Sequence, residues 1–175
     1  MYSRDEIKTL VEIVKKHNLF LIADEVYREF TYENACHTSI LEFNEIQENA
    51  IVIDSVSKRY SMCGARIGCI ISKNAEFIST AMKFAQARLS PPTLAQIAST
   101  AAMDVGEEYF DSVINEYNER RKTLIKGLNE IPGVKVSIPN GAFYCVVELP
   151  VKNSENFAKW LLEDFSLNNE TIMVA

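Results

Sequence analysis

SVSKRYSMCGARIG, residues 55–68, follows the apolar run Ile51–Ile53 and leads into a second apolar run, Arg66–Ser72. Short apolar runs separated by polar loops are typical of buried strands in an open α/β sheet. Ser55 then stands at the carboxyl end of the first strand, where such sheets bind ligands. The stretch therefore predicts a ligand-binding loop between two strands.

The side chains of this loop indicate the ligand. Lys58 carries the amine that condenses with an aldehyde to form a Schiff base, and Ser55 with Arg66 is a phosphate-binding pair. An aldehyde and a phosphate on one small molecule describe pyridoxal 5'-phosphate. Each residue also has an ordinary interpretation: Lys58 as a solvated charge, Arg66 as a structural ion pair, Ser55 and Ser57 as turn residues. Their combination at one strand end favours the cofactor.

A second group of polar residues follows the apolar run Leu19–Ala23. The Asp24 carboxylate beside a pyridine nitrogen would hold the ring proton, and the Tyr27 phenol would donate to the ring 3-oxygen. Asp24 and Glu25 after an apolar run are also typical of the magnesium site of a nucleotide hydrolase. That function needs a GxxxxGK[ST] phosphate loop, which the sequence lacks. Asp24 as a simple turn cap is the remaining alternative.

The pattern of apolar residues in the rest of the chain predicts an α/β protein. Ser3 and Glu6 form a capping box before helical spacing of apolar residues. Helices are predicted at 4–17, 74–88, 93–104, 107–130 and 154–165, and strands at 19–23, 51–54, 66–72, 134–137 and 142–148. Continuous apolar strands predict a sheet buried on both faces. A domain boundary is expected near residue 112, within the long helix.

Composition narrows the functional classes. The 175 residues are 47% hydrophobic with a net charge of −6, which indicates a globular chain and argues against a nucleic-acid surface. No apolar run is long enough to span a membrane, and no signal peptide is visible. The cysteines show no metal-ligand spacing, so we expect no metal, and reduced, mostly packed thiols in a cytoplasmic protein; they are Cys36, Cys63, Cys69 and Cys145.

Three motifs resemble the class I/II aminotransferases, fold-type I pyridoxal-phosphate enzymes, and their aspartate-aminotransferase-like branch in particular. They are Asp-Glu-Val-Tyr at 24–27, Ser-Val-Ser-Lys at 55–58 and Gly-Ala-Arg-Ile-Gly at 64–68. The resemblance implies a large domain with a mostly parallel sheet flanked by helices, and a smaller α+β domain. Residues 1–112 would be the C-terminal half of the large domain, and 113–175 an incomplete small domain.

The same resemblance implies roles for the site residues. Lys58 would form the Schiff base and move the substrate's Cα proton, Asp24 would hold the ring nitrogen, and Tyr27 would bind the 3-oxygen. Ser55, Arg66 and, less centrally, Ser57 would bind the phosphate. The implied reaction transfers an amino group from an L-amino acid, with aspartate as first candidate, to a 2-oxo acid. Separately from the resemblance, we expect self-association as a homodimer, because exposed apolar sheet surface should be covered by another copy.

Some features of the family are not in this sequence. These are a preceding phosphate loop, an aromatic residue that stacks on the ring, and an arginine for the substrate carboxylate. We therefore expect a fragment of a longer enzyme, with low or no activity alone. Two alternatives stay open: another fold-type I enzyme, such as a lyase, decarboxylase or synthase, and a cofactor-free association module.

Overall fold

The computed structural model describes residues 1–174 and has a mixed helix and strand architecture. The helices are α1 Arg4–His17, α2 Val56–Arg59, α3 Ala75–Arg88, α4 Thr93–Ala102, α5 Glu107–Asn129 and α6 Ser154–Glu163. The strands are β1 Leu21–Asp24, β2 Ala50–Ser55, β3 Gly68–Ile71, β4 Lys135–Val136 and β5 Val147–Glu148. Short 3₁₀ turns lie at Ile40–Glu42, Asn44–Ile46 and Cys63–Ala65. All five predicted helices are confirmed, with ends shifted by two residues at most.

The chain forms two compact units. The first comprises Met1–Glu119 and Pro139–Phe143, and the second takes the rest of the described chain. The division falls within α5, after Glu119, and the domain boundary near residue 112 stays a prediction. The assignment of 1–112 and 113–175 to two enzyme domains stays a prediction.

Helix α1 begins at the predicted capping box. The Glu6 N–H donates to Ser3 Oγ over 3.3 Å, and the Ser3 N–H donates to Glu6 Oε2 over 2.7 Å. Asn18 ends the helix in a left-handed conformation. The apolar spacing buries Ile7, Val11 and Val14, which pack into a core with residues of the 3₁₀ turns and β2.

The three-stranded sheet of the first unit has the order β1-β2-β3. Strand β1 runs parallel to β2 with Asp24 opposite Ile53, whereas β3 runs antiparallel with Gly68 opposite Ser55. The carboxyl ends of β1 and β2 and the start of β3 therefore share one edge of the sheet. This edge holds the residues that the sequence selects for cofactor binding.

The prediction that this sheet is buried on both faces is wrong. Helix α1 and two 3₁₀ turns cover one face, where Ala50 and Val52 are buried. On the other face, Ile22 is 62% exposed, and β3 is exposed throughout. A groove of about 650 Å³ lies between this face and α3, because Ile53 and residues of β3 do not close against the helix.

The second unit contains an antiparallel pair, β4 and β5, in which Lys135 lies opposite Glu148. Helix α6 buries Leu161 in this unit. The predicted strand 142–148 is wrong in its first part, since only Val147–Glu148 forms a strand. Ala142, which belongs to the first unit, instead adopts a left-handed conformation with φ of 57°, and its N–H donates to the carbonyl of Phe30 in the same unit.

All four cysteines are free thiols. The prediction that they are mostly packed is wrong, because Cys36, Cys63 and Cys69 are exposed. Partial burial raises the pKa of the Cys69 thiol, and the negative charge of Asp54 acts in the same direction.

Two negative findings apply to residues 1–174. None of the helices there has the length and apolar character needed to cross a membrane. Within the same range, no group of three or more histidine, cysteine or acidic side chains is placed to hold a metal ion.

Candidate active site

Five of the six predicted site residues line one cavity of about 270 Å³ at the shared sheet edge: Asp24, Ser55, Ser57, Lys58 and Arg66. The sixth, Tyr27, does not line this cavity but has its ring next to the Lys58 amine. Three separate chain segments thus bring an amine, a carboxylate, two hydroxyls and a guanidinium together.

Lys58 is the third residue of α2, the single helical turn that follows β2. Ser55 caps this turn, because its hydroxyl oxygen accepts the Ser57 N–H over 3.1 Å. The Lys58 Nζ lies 5.9 Å from the ring centroid of Tyr27 and 5.7 Å from that of Phe143. These distances are within the range of cation–π attraction, so two aromatic rings attract the amine.

The candidate phosphate-binding groups lie on the two sides of the loop. Ser55 Oγ is 2.8 Å from Ser57 Oγ and 2.8 Å from the Ile67 carbonyl oxygen, so the loop's far end holds the hydroxyl in place. Arg66 adopts a left-handed conformation with φ of 55°, and its Nη1 donates to the Cys63 carbonyl over 3.0 Å. A guanidinium has five N–H donors, so this bond leaves donors for an anion.

Asp24 ends β1 with an exposed side chain. Its Oδ1 accepts the Val26 N–H over 3.2 Å, which is the turn-capping contact considered in the sequence analysis. Because Oδ2 is a separate acceptor on the same carboxylate, Asp24 can cap the turn through Oδ1 and bind a ligand through Oδ2 at the same time.

Glu25 points away from the cavity and is 4% exposed. Its Oε1 accepts the Ser39 hydroxyl and the Ile40 N–H, each over 3.0 Å, and its Oε2 lies 3.1 Å from His37 Nε2. The nucleotide-hydrolase alternative requires Asp24 and Glu25 to act at one site. The structure instead uses Glu25 to hold the 3₁₀ turn that begins at Ile40.

Sequence reasoning missed a network of charges beside the site. Arg59 Nη2 donates to Asp54 Oδ2 over 2.7 Å, and Arg59 Nε forms an ion pair with Glu29 Oε1 at 2.6 Å. Burial alone would lower the pKa of Arg59, but the bonds and charges of Glu29 and Asp54 outweigh it and raise the pKa. Asp54 in an otherwise apolar strand was the one signal in the sequence.

Phe143 was not among the predicted site residues. Its ring meets Tyr27 edge-on at a centroid distance of 4.9 Å and stacks on Tyr117 at 4.9 Å. A Cβ on Gly141 would lie 3.1 Å from the Phe30 carbonyl oxygen, so a glycine permits the close approach of this loop. The loop therefore brings an aromatic ring to the Lys58 amine.

Comparison with known proteins gives consistent matches. A family model for class I and II aminotransferases matches residues 1–171. The aspartate aminotransferase of Pyrococcus horikoshii is 34% identical over 160 residues, which cover 89% of this chain and 40% of that protein. The (5-formylfuran-3-yl)methyl phosphate transaminase of Methanocaldococcus jannaschii is also 34% identical, over 90% of this chain and 42% of that protein.

Solved structures show the same fold. The N-succinyldiaminopimelate aminotransferase of Mycobacterium tuberculosis matches with a TM-score of 0.84 at 27% identity, covering 93% of this chain and 43% of that one. The predicted α/β fold of the fold-type I transferases is therefore confirmed. The chain spans about two-fifths of the length of these curated relatives.

Proposed function

This chain belongs to the class I and II aminotransferases, a pyridoxal-phosphate-dependent family, and from that premise we propose that it provides the cofactor-bearing lysine of an aminotransferase. The proposed reaction moves an amino group from an L-amino acid to a 2-oxo acid. The observation that carries the proposal is the single cavity lined by Lys58, Asp24, Ser55, Ser57 and Arg66.

The chemistry of these side chains fits pyridoxal 5'-phosphate group by group. The Lys58 amine would add to the aldehyde carbon, with the loss of one water molecule. The Asp24 carboxylate would hold the proton of the ring nitrogen, and the Tyr27 phenol would donate to the 3-oxygen. The Ser55 and Ser57 hydroxyls and the Arg66 guanidinium would bind the phosphate.

When bound, the cofactor supplies a ring that accepts electrons and so stabilises negative charge at the substrate's α-carbon. The chain's own contribution is proton transfer and orientation. Once freed from the cofactor, the Lys58 amine would act as a general base that takes the substrate's α-proton, and its protonated form would later return that proton. Asp24 would hold the ring proton, and Ser55, Ser57 and Arg66 would keep the ring in place by binding the phosphate.

The names of the similar proteins do not agree on one substrate. Similar proteins are named for aspartate, for a furan methyl phosphate and for N-succinyldiaminopimelate. Amino-group transfer is common to all three, which supports the reaction more strongly than the substrate. Aspartate with a 2-oxo acid is our first candidate. We place the reaction in the cytoplasm and propose that the protein works as a homodimer, with residues 1–112 and 113–175 belonging to its large and small domains.

The test is covalent capture of the cofactor. The protein is incubated with pyridoxal 5'-phosphate, reduced with cyanoborohydride and digested, and mass spectrometry locates the modified peptide. We expect modification at Lys58, its loss in Lys58→Ala, and wild-type behaviour in Lys73→Ala, since Lys73 contacts Gln47 at the surface. Modification spread over many lysines, or none, would contradict the proposal and favour a cofactor-free association module.

A second measurement separates amino-group transfer from the other fold-type I reactions. With cofactor bound, the slow turnover expected of this chain should convert aspartate to the corresponding 2-oxo acid, detected by mass spectrometry. Release of carbon dioxide, or of an amine from the same substrate, would instead identify a decarboxylase or lyase.

A further inference from the structure

We propose that Arg59 is a positioning residue, which fixes the short helix α2 that carries Lys58 against the chain segment that carries Asp24 and Tyr27. This inference rests on the proposed function, because it assigns Arg59 a role in presenting Lys58 to the cofactor. Arg59 belongs to a network of four charged residues, here called the charge network: Arg28, Glu29, Asp54 and Arg59.

Helix α2 cannot hold its own orientation. It contains only the residues Val56–Arg59, whereas isolated helices shorter than about 12–15 residues are marginal in water. Its first turn is held by the Ser55 cap, which fixes one end of the helix. The direction of the Lys58 side chain therefore depends on what holds the other end.

Arg59 holds that other end. Its side chain is 13% exposed and reaches two carboxylates, Asp54 at 2.7 Å and Glu29 at 2.6 Å. Asp54 belongs to β2, and Glu29 lies two residues after Tyr27. A single guanidinium thus joins the lysine half of the cavity to the half that carries the ring-binding groups.

Arg28 completes the charge network on its outer side. Its Nε donates to Glu29 Oε1 over 2.9 Å, and its Nη1 lies 3.6 Å from Asp54 Oδ2. Two guanidinium groups thus balance two carboxylates, and Arg59 is the more buried of the two cations. Without Arg59, Asp54 and Glu29 would be left beside α2 with one cation between them, and α2 would lose this attachment at its C-terminal end.

Lysine is a poor substitute for Arg59. The planar guanidinium places different nitrogens on Asp54 and Glu29, whereas an ammonium is a single point charge at the end of a flexible stem. We therefore expect Arg59→Lys to restore the charge but only part of the orientation of α2.

The experiment compares the variants Arg59→Met, Arg59→Lys and Glu29→Gln with the wild-type protein. Arg4→Met is the matched control, because Arg4, on α1, forms an exposed ion pair with Glu42 of the 3₁₀ turn, and neither residue lines the cavity. Two quantities are measured with pyridoxal 5'-phosphate: its equilibrium binding, and the rate at which Lys58 becomes covalently attached. Thermal unfolding is followed in parallel, and all variants are compared at a temperature where each is folded.

We expect Arg59→Met to slow the attachment of Lys58 by about 10- to 100-fold, since small displacements of a reacting group have effects of that size. Glu29→Gln should slow it less, and Arg59→Lys should recover part of the rate. Reversible binding of the cofactor should change less than threefold, because the Ser55 and Arg66 contacts remain. The control Arg4→Met should match the wild type in both quantities.

The inference is overturned if Arg59→Met attaches the cofactor at the wild-type rate. It is also overturned if attachment and reversible binding fall together by the same factor, since that result describes a general loss of structure. If the wild type itself shows no attachment at Lys58, the proposed function fails, and the positioning role fails with it.

Discussion

Arg66 is held in a backbone conformation that a side chain of its size rarely adopts. Its φ of 55° lies in the left-handed region, where a Cβ crowds the following carbonyl and costs about 1–2 kcal/mol. The strained residue is also the one whose guanidinium faces the cavity with Ser55 and Ser57. Backbone strain of this kind clusters at ligand-binding residues, which agrees with the proposed role of Arg66 in binding the phosphate.

Two substitutions separate the strain from the binding role. Arg66→Gly and Arg66→Ala both remove the guanidinium and its bond to the Cys63 carbonyl, but only glycine tolerates the positive φ. We expect the free energy of unfolding of Arg66→Gly to exceed that of Arg66→Ala by about 1 kcal/mol, as measured by urea denaturation. Equal stabilities would contradict a strained Arg66.

The same pair of variants should bind the cofactor equally poorly. Loss of charge-assisted hydrogen bonds to the phosphate should weaken the affinity for pyridoxal 5'-phosphate by about 10- to 100-fold, or roughly 1.5–3 kcal/mol. Pyridoxal, which has no phosphate, serves as the matched ligand, and its affinity should not change. A parallel loss for both ligands would show that Arg66 does not bind the phosphate.

At the scale of single elements, two carboxylates at the start of α1 and beside it stabilise the fold only when they are ionised. Hydrogen bonding to the Ser3 backbone N–H, and then to the Ser3 hydroxyl, lowers the pKa of Glu6 from its ordinary value of 4.5. The ion pair with Arg4 lowers the pKa of Glu42 in the same way. Because the folded state binds these protons less well than the unfolded chain, both carboxylates favour folding when ionised.

We expect the stability of the protein to fall as the pH is lowered below about 4.5. The contribution of Glu6 is fully present above its unfolded pKa and disappears as the pH passes down through its lower folded pKa. Glu6→Gln keeps a capping-box residue but removes this titration. Urea unfolding between pH 6 and pH 3 should therefore show a shallower decline for Glu6→Gln, and identical slopes would contradict this assignment.

The elements that sequence reasoning placed well are those specified by local signals. Helix α1 depends on Ser3, Glu6 and apolar spacing, all within one short segment. Strand β3 was predicted to begin at Arg66 but begins at Gly68, because a left-handed residue cannot continue a strand and the sequence pattern does not show φ.

Contacts between distant segments escaped prediction. The Arg59–Glu29 ion pair joins two charged residues that look like ordinary surface side chains in the sequence. Phe143 reaches Lys58 from much farther along the chain. The cavity residues themselves could be selected because strand ends bring short polar motifs to one edge of a sheet.

At the scale of the whole molecule, large apolar side chains remain exposed on α3 and α4. Phe84 is 74% exposed and Leu94 is 81% exposed. The uncovered face of the sheet adds Ile22 and Ile70. Isolated apolar residues are normal on a protein surface, whereas many together indicate a surface that is covered in the working protein. These residues support the proposed homodimer.

We expect the chain to self-associate through this apolar surface, as measured by sedimentation. The double variant Phe84→Glu/Leu94→Glu should shift the population towards monomer, because charges would be buried on association. Ile13→Glu is the matched control: Ile13 is also exposed, but on α1, and should leave the association unchanged. A wild-type chain that sediments as a uniform monomer would contradict the prediction.

The antiparallel return of β3 along β2 has a consequence for how the pocket is assembled. Because Ser55 lies opposite Gly68, Ser55 and Arg66 line the cavity together across a short stretch of chain, and the entropy lost in closing a loop grows with its length. Asp24 joins them only through the long crossover between β1 and β2. The proposed phosphate-binding pair, Ser55 and Arg66, is therefore the part of the pocket whose formation requires the least order in the rest of the chain.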